Sequence, residues 1–396
     1  MKLFIVISYK QKNYEEDNNP LFHQLSKFFE LEIIDLSSTF PARLKRINFK
    51  KFDIRSDKFK LHKIKSLKEF HTLMKGHPNS LVIKNYSDEI YDWPISIILQ
   101  IVDIKIINIF DIAYIGNVNT VTGNKVFEFF RKLLNKPVYV KKVIEHRIFL
   151  LLHTLGVFKK IDTMFLSSKD LLSTYVKKNL IKDFCFISSL SSQDNKIIRD
   201  TEIANKHIVY LGQNFIYQDY DLKREGEEPI NYMAYGQELK RLFDHMEKFY
   251  NKKIVVCAHP KYDEKNSLRD FGRREVVKNR TLEMIVKADF VIGHFSSAIN
   301  YSLYLSKPVF LITSSLFSKN SWVSNSIQRY STILNVQATN ISEEKNLNKE
   351  NIDLALREGM KSKYLNKYIT DNISIYHPYK VDSTNIIVEY LRAKYL

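Results

Sequence analysis

The chain of 396 residues has only two cysteines, Cys185 and Cys257, and ten glycines. So few thiols exclude a disulfide-stapled scaffold and a cysteine-rich zinc site. So little glycine excludes collagen-like and glycine-rich repeat architectures. An unbroken apolar run of membrane-spanning length is missing too. The most apolar stretch, residues 94–116, is interrupted by Gln100, Asp103, Lys105, Asn108 and Asp111, which disqualifies it as a transmembrane helix. The N-terminal MKLFIVISYKQ has too short an apolar run for a secretion signal and no small-residue cleavage site, so it reads as a first β-strand. These absences point to a cytoplasmic protein.

Acidic residues are in short supply: 44 Asp and Glu face 61 Lys and Arg, a net charge of +17. The excess is concentrated early, with 33 basic and 21 acidic residues in 1–200 and 12 basic against 3 acidic in 41–75. Such a patch suits an anionic membrane surface, an acidic glycan or nucleic acid, or it is a solvated face. Nucleic acid is the poorest fit. Zinc-finger, RNP-type and P-loop signatures are missing, and the basic segment lacks the interleaved aromatics that stack on bases. With 44% hydrophobic and 13% aromatic residues, the chain has enough apolar content to fold rather than remain a disordered polyelectrolyte.

Strand and helix patterns alternate along the chain, which predicts α/β architecture with parallel sheets. KLFIVIS (2–8), LEIIDLS (31–37), LVIKNY (81–86) and IKIINIF (104–110) read as strands, with a helix near 20–30 placing Leu21, Leu25, Phe28 and Phe29 on one face. FEFFRKLL and the apolar VIEHRIFLLLHTLGVF read as helices, the second as a core helix or one lying on a membrane surface. MFLSS (164–168) and FCFISS (184–189) are short strands. The polar, aperiodic stretch 190–206 reads as a domain boundary. A second α/β run follows: HIVYLG (207–212), a helix at 231–250 with Leu239, Leu242, Phe243 and Met246 at helical spacing, KIVVCAH (253–259), a helix at 281–287, DFVIG (289–293), a helix from Ser297 to Leu305, and PVFLIT (308–313). The expected domains are 1–195 and 207–375, followed by a terminal helix in 376–396.

In open α/β sheets, ligands bind beyond the carboxyl ends of strands, so candidate residues are those that follow strands. His259-Pro260 follows KIVVCA; the ring can donate to a phosphate or carboxylate and the proline stiffens its backbone, or the histidine is structural. Gly293 ends DFVIG, and Ser296-Ser297 are placed to open a helix whose N-terminus would attract phosphate; one serine is explained equally by an ordinary N-cap. Gly212-Gln213, after HIVYL, permit close backbone approach with Gln213 reaching a base or sugar, or form a tight turn.

Strand–His-Pro, one helix, then strand–Gly-x-x-Ser-Ser–helix–Lys-Pro–strand spans roughly residues 207–315. The layout resembles the C-terminal half of GT-B glycosyltransferases that use CMP-activated sugars, the bacterial sialyltransferases and polysialyltransferases. It is also similar to the CDP-glycerol-dependent glycerophosphotransferases of teichoic-acid synthesis. The resemblance implies two Rossmann-like domains facing a cleft. It implies an inverting, metal-independent transfer of sialic acid or a related nonulosonic acid to a bacterial surface glycan such as lipooligosaccharide or capsule, with no cofactor. His259-Pro260 and Ser296-Ser297 would contact the cytidine nucleotide and its phosphate, with Gly212, Gln213 and Gly293 nearby. In those sialyltransferases the base comes from an acidic-acidic-Gly motif after a first-domain strand. Here Asp111 stands after IKIINIF, followed by Ile112-Ala113, with Asp35, Asp88 and Glu89 as alternatives. Partners would be the CMP-sugar donor, a glycan or glycolipid acceptor and an anionic inner-membrane surface, with no nucleic acid. A non-catalytic glycan-binding relative of the same fold is the competing reading.

Overall fold

The computed structural model describes residues 1–7, 20–36, 39, 58–85, 93–110, 137–177, 179–190, 192–202, 204, 206–213, 230–259, 262–318, 320–361, 365–374, 376 and 381–396. The chain divides into two compact units, Met1–Ile112, Lys141–Ser192 and Val381–Leu396 in one, Ala113–Val140 and Gln193–Lys380 in the other.

The first unit is built on seven strands: β1 (Lys2–Ile7), β2 (Glu30–Asp35), β3 (Lys60–Lys63), β4 (Leu81–Asn85), β5 (Lys105–Phe110), β6 (Thr163–Leu166) and β7 (Phe184–Phe186). They lie in the order β3-β2-β1-β4-β5-β6-β7, and every neighbouring pair is parallel. A parallel sheet must be covered on both faces, and β1 shows how the sequence meets that demand. Leu3, Ile5 and Ile7 face one core with Phe22 and Leu25 from the helix Pro20–Leu25 and Ile387 and Leu391 from the helix Ser383–Tyr395. Phe4 and Val6 face the other, with Phe70 and Met74 from the helix Leu67–Lys75 and Ile95, Ile98 and Leu99 from the helix Trp93–Ile101. The period-two alternation of side chains therefore feeds two hydrophobic layers from one apolar run. The helix Leu67–Lys75 starts where it does because Ser66 accepts from the Glu69 backbone N–H (3.2 Å) while the Glu69 carboxylate accepts from the Lys65 N–H (2.9 Å). The C-terminal helix is tied to the same unit through the buried Ser383 hydroxyl, which donates to the Ser188 carbonyl at 2.9 Å.

The second unit holds β8 (His207–Leu211), β9 (Ile254–Cys257), β10 (Glu275–Val277), β11 (Ala288–Gly293), β12 (Val309–Thr313) and β13 (Thr339–Asn340) in the order β10-β9-β8-β11-β12-β13. The pairs are again parallel. The helix Tyr232–Tyr250 buries Leu239, Leu242, Phe243 and Met246, as their spacing predicts. It begins at Asn231, whose side chain accepts from the Ala234 N–H, and stops at Asn251, which adopts a left-handed conformation (φ 51°).

Numbered within each sheet, both orders contain 3-2-1-4-5-6, the strand order of a dinucleotide-type Rossmann fold. The chain is thus an α/β protein with two Rossmann-like domains. Three strands run where the sequence suggested none: β3, β10 and β13. All three are sheet edges and only partly buried, so they lack the apolar signature of the central strands. The polar stretch 190–206 contains a helix, Ser192–Asp200. The helix expected in FEFFRKLL lies outside the described residues. No described helix is long and apolar enough to cross a membrane.

Candidate functional site

Reversal of the strand order places the switch point of the second sheet between β8 and β11, the two central neighbours. Because all strands are parallel, the segments after β8, β9, β11 and β12 emerge along one edge of the sheet. That edge carries Gly212 and Gln213, His259, the run Gly293–Ser297, and Ser314.

Gly212 is forced by proximity. Its N–H donates to the Cys257 carbonyl at 2.9 Å, and a Cβ there would sit 3.3 Å from that oxygen and 3.5 Å from the Ala258 Cα. A larger residue would prise the ends of β8 and β9 apart. Gly293 is crowded by Ile299, whose Cδ1 lies 3.3 Å from a built Cβ. The Gln213 side chain donates to the Phe295 carbonyl, so it bridges the loops on the two sides of the switch point. His259 follows β9 and is half-buried. The chain turns there, with the Tyr262 N–H donating to the His259 carbonyl at 2.8 Å. The turn is anchored by Tyr262, which is buried and donates to Asp270 at 2.9 Å.

Ser296 and Ser297 precede their helix instead of opening it. The helix is Ile299–Tyr304 with Ala298 as its cap, not Ser297–Leu305. Ser296 folds back on the chain: its Oγ accepts from the Ala298 N–H at 3.2 Å and its carbonyl accepts from the Ile299 N–H at 3.0 Å. These local bonds compete with the first helical turn. Ser297 is exposed.

Behind this loop stands a brace of aromatic side chains. The fully buried Tyr330 donates to the Ser296 carbonyl at 2.8 Å, and Tyr368 donates to Asn300 Oδ1 at 3.0 Å. His294 is completely buried, hydrogen-bonded to the Tyr235 hydroxyl and ringed by Tyr210 and Phe317. Burial pushes its pKa down to about 3, so its ring is neutral at ordinary pH. The sequence reading passed over His294 as a neighbour of Gly293; only its burial shows that it shapes the loop. A second group was also missed. Ser314, buried after β12, donates to Glu238 Oε2 at 2.7 Å, and its hydroxyl lies 3.2 Å from that of Ser342. A serine pair following PVFLIT was the available signal, since it repeats the strand-then-hydroxyl pattern of Ser296-Ser297.

Gly212, Gln213, His259, Gly293, Ser296 and Ser297 include no acidic residue. An amide, an imidazole and hydroxyls held at strand ends are suited to receive an anionic group. Among the described residues no three His, Cys, Asp or Glu side chains converge as a metal site requires. Asp111, directly after β5, and Pro260 lie outside the described residues, as do Asp88 and Glu89. Asp35 ends β2 and is buried, its carbonyl accepting from the Ile64 N–H at 3.0 Å.

No family model matches the chain, and no curated protein does. Solved structures do. The wall teichoic acid polymerase TagF aligns over 100% of this chain and 88% of its own, with 11% identity and a TM-score of 0.51. A UDP-GlcNAc 2-epimerase from Methanocaldococcus jannaschii covers 99% of this chain and 100% of its own, at 10% identity and 0.47. The spinosyn rhamnosyltransferase SpnG does the same at 10% identity and 0.44. At these identities the TagF likeness speaks to fold: the two Rossmann-like units have a GT-B-type architecture.

Proposed function

We propose that this chain is an inverting transferase that moves a group from a cytidine-nucleotide donor to a hydroxyl of a bacterial surface glycan. The supporting observation is the acid-free set of hydrogen-bonding groups at the switch point of the second Rossmann sheet, with His259 and Gly293–Ser297 on the strand ends that flank β8. In the first reading the donor is a CMP-activated sialic or other nonulosonic acid. The acceptor oxygen attacks the anomeric carbon, the bond from that carbon to the phosphate oxygen breaks, and the acceptor proton passes to Asp111. CMP leaves, and the negative charge gathering on its phosphate is met by His259 and the hydroxyls of Ser296 and Ser297. Gly212 and Gln213 line the base or sugar side. The basic segment 41–75 serves the acceptor side, drawing an acidic glycan or an anionic membrane surface.

A second reading has CDP-glycerol as donor and glycerol phosphate as the transferred group. It is favoured by the fold likeness to TagF, one structure of which was obtained after a soak with CDPG. The two readings share the cytidine nucleotide, so one experiment addresses both. The purified chain is incubated with CMP-sialic acid, other CMP-nonulosonates, CMP-Kdo and CDP-glycerol. Released CMP is measured by chromatography, and thermal shift is recorded with CMP and CDP against UMP and UDP. Stabilisation by cytidine nucleotides is expected, and the donor that releases CMP decides between the readings. No shift with any cytidine nucleotide overturns the donor assignment. Binding without release with every donor assigns the chain to the non-catalytic class.

A further inference from the structure

The first unit carries an apolar surface that the transfer reaction does not use. The helix Pro137–Thr154 packs one face inward: Phe149 is buried against Trp93 and Phe158, with ring centroids 6.4 and 5.3 Å away. On its other face Ile144, Ile148 and Leu151 recur, and Leu155 follows just past the helix end, at intervals of four, three and four residues. They are 52%, 41%, 56% and 67% exposed. The Leu155 N–H still donates to the Leu151 carbonyl at 2.9 Å, so the four form a single stripe along the helix. Apolar residues thus stand on both sides of this helix, one set buried and one exposed, and an exposed apolar stripe of this kind marks a contact surface.

The neighbouring helices indicate what that partner is. The helix Trp93–Ile101 touches this one through Trp93, and its last residue, Ile101, is 67% exposed. The helix Leu67–Lys75 packs beside Trp93–Ile101 in the same layer. It buries Phe70 and Met74 and exposes Lys68 and Lys75, seven residues apart. Lys63 and Lys65 are exposed just before it, and Arg147 is exposed beside the stripe. The one acid between Lys63 and Lys75 is Glu69, which caps its own helix. The layer therefore combines an apolar stripe with cationic side chains in a chain of net charge +17. An isologous dimer through this layer would set the same basic side chains against one another, whereas a bilayer rich in anionic lipid offers both hydrocarbon and negative charge.

We infer that the helix Pro137–Thr154 docks in the interfacial zone of an anionic bilayer through Ile144, Ile148, Leu151 and Leu155. The docking deepens the membrane side of the proposed function but stands apart from the donor assignment.

Co-sedimentation of the full chain with phosphatidylcholine vesicles, with and without phosphatidylglycerol, tests it. The wild type should partition onto the anionic vesicles. Leu151→Glu with Leu155→Glu should lower the partition coefficient roughly tenfold or more, because two apolar side chains no longer enter the interface. Lys68→Glu with Lys75→Glu should lower it by roughly tenfold at low salt and hardly at all in molar salt. Leu155→Trp should show blue-shifted emission quenched by brominated lipid, which also decides the matter if the glutamate variant does not fold. Wild-type partition by the glutamate variant, emission from the Leu155→Trp variant that brominated lipid leaves unquenched, or a wild-type dimer that the glutamate variant dissolves would each overturn the inference, the last in favour of a second copy. CMP release is assayed without lipid in parallel, so loss of docking with release intact separates this inference from the transferase reading.

Discussion

The two Rossmann sheets share a strand order and handle polar groups in opposite ways. In the first sheet, a buried charge is met by partners within the sheet. Glu32 of β2 is almost completely buried between Lys2 of β1, at 2.7 Å, and His62 of β3, at 2.5 Å, with Lys60 at 3.4 Å. Burial alone would raise its carboxyl, but hydrogen bonds from Lys2 and His62 bring its pKa down to about 2. Three strands are cross-linked through one carboxylate, and the group's bonding capacity is spent on the fold. In the second sheet, an amide, an imidazole and hydroxyls stand at the carboxyl edge beside the switch point, and the buried groups behind them hold the backbone. Topology places a switch point in each sheet, between β1 and β4 in the first and between β8 and β11 in the second.

The sharpest way to break this contrast is His259→Ala. If His259 meets charge on the leaving phosphate, CMP release should fall roughly a hundredfold or more, the usual loss for one such donor. The melting temperature should hold, since the ring is only half-buried. Full activity would remove the residue from the mechanism. Next in size is Glu32→Gln, which removes the buried carboxylate that Lys2 and His62 share and should cost about 3 kcal/mol in urea unfolding. It should leave the thermal shift with CMP as large as in the wild type. A lost CMP response would mean that the division of labour between the sheets is wrong.

His294→Phe should cost about 2 kcal/mol by removing the hydrogen bond that the buried Tyr235 hydroxyl makes to the ring. It also has a pH signature. The folded pKa of His294, about 3, lies below its ordinary value of 6.5. Its contribution to stability is complete above 6.5 and is lost as pH falls from there toward 3. The phenylalanine variant should lose that slope in melts recorded between these limits. The Glu32 contribution is complete above about 4.5 and is lost as pH falls toward 2, so Glu32→Gln should flatten only this lower window. Identical acid profiles for the two variants would erase the distinction. The smallest effect belongs to Gly212→Ala. The added methyl must displace the Cys257 carbonyl by a few tenths of an ångström, for about 1 kcal/mol of stability, with weaker CMP binding read by calorimetry.

Legibility followed burial. β1, β2, β4, β5, β8, β9, β11 and β12 stand out in the sequence as apolar runs, because central strands of a covered parallel sheet must be apolar on both faces. KLHK (β3), EVV (β10) and TN (β13) are edge strands too polar or too short to present an apolar run, whereas the edge strand β7 was legible because FCFI is apolar. The strand-end residues Gly212, His259 and Gly293 were legible for the same reason as the strands they follow. The start of the helix after Ser297 was not. The Ser296 hydroxyl caps a local turn, and a serine pair before an apolar segment fits both arrangements.

The sequence by itself determined that the chain alternates strand and helix in two successive sets, and which residues follow the apolar strands. These are local matters, set by hydrophobic period and by glycine and serine at fixed offsets. The tertiary structure decided what no single segment contains. Strand order brings β8 beside both β9 and β11 and so sets His259 and Ser296, 37 positions apart in sequence, along one edge. The same folding buries His294 and Glu32. A strand states its own periodicity, but its neighbours are chosen by how helices cover the sheet, and burial of a polar side chain is a property of those neighbours.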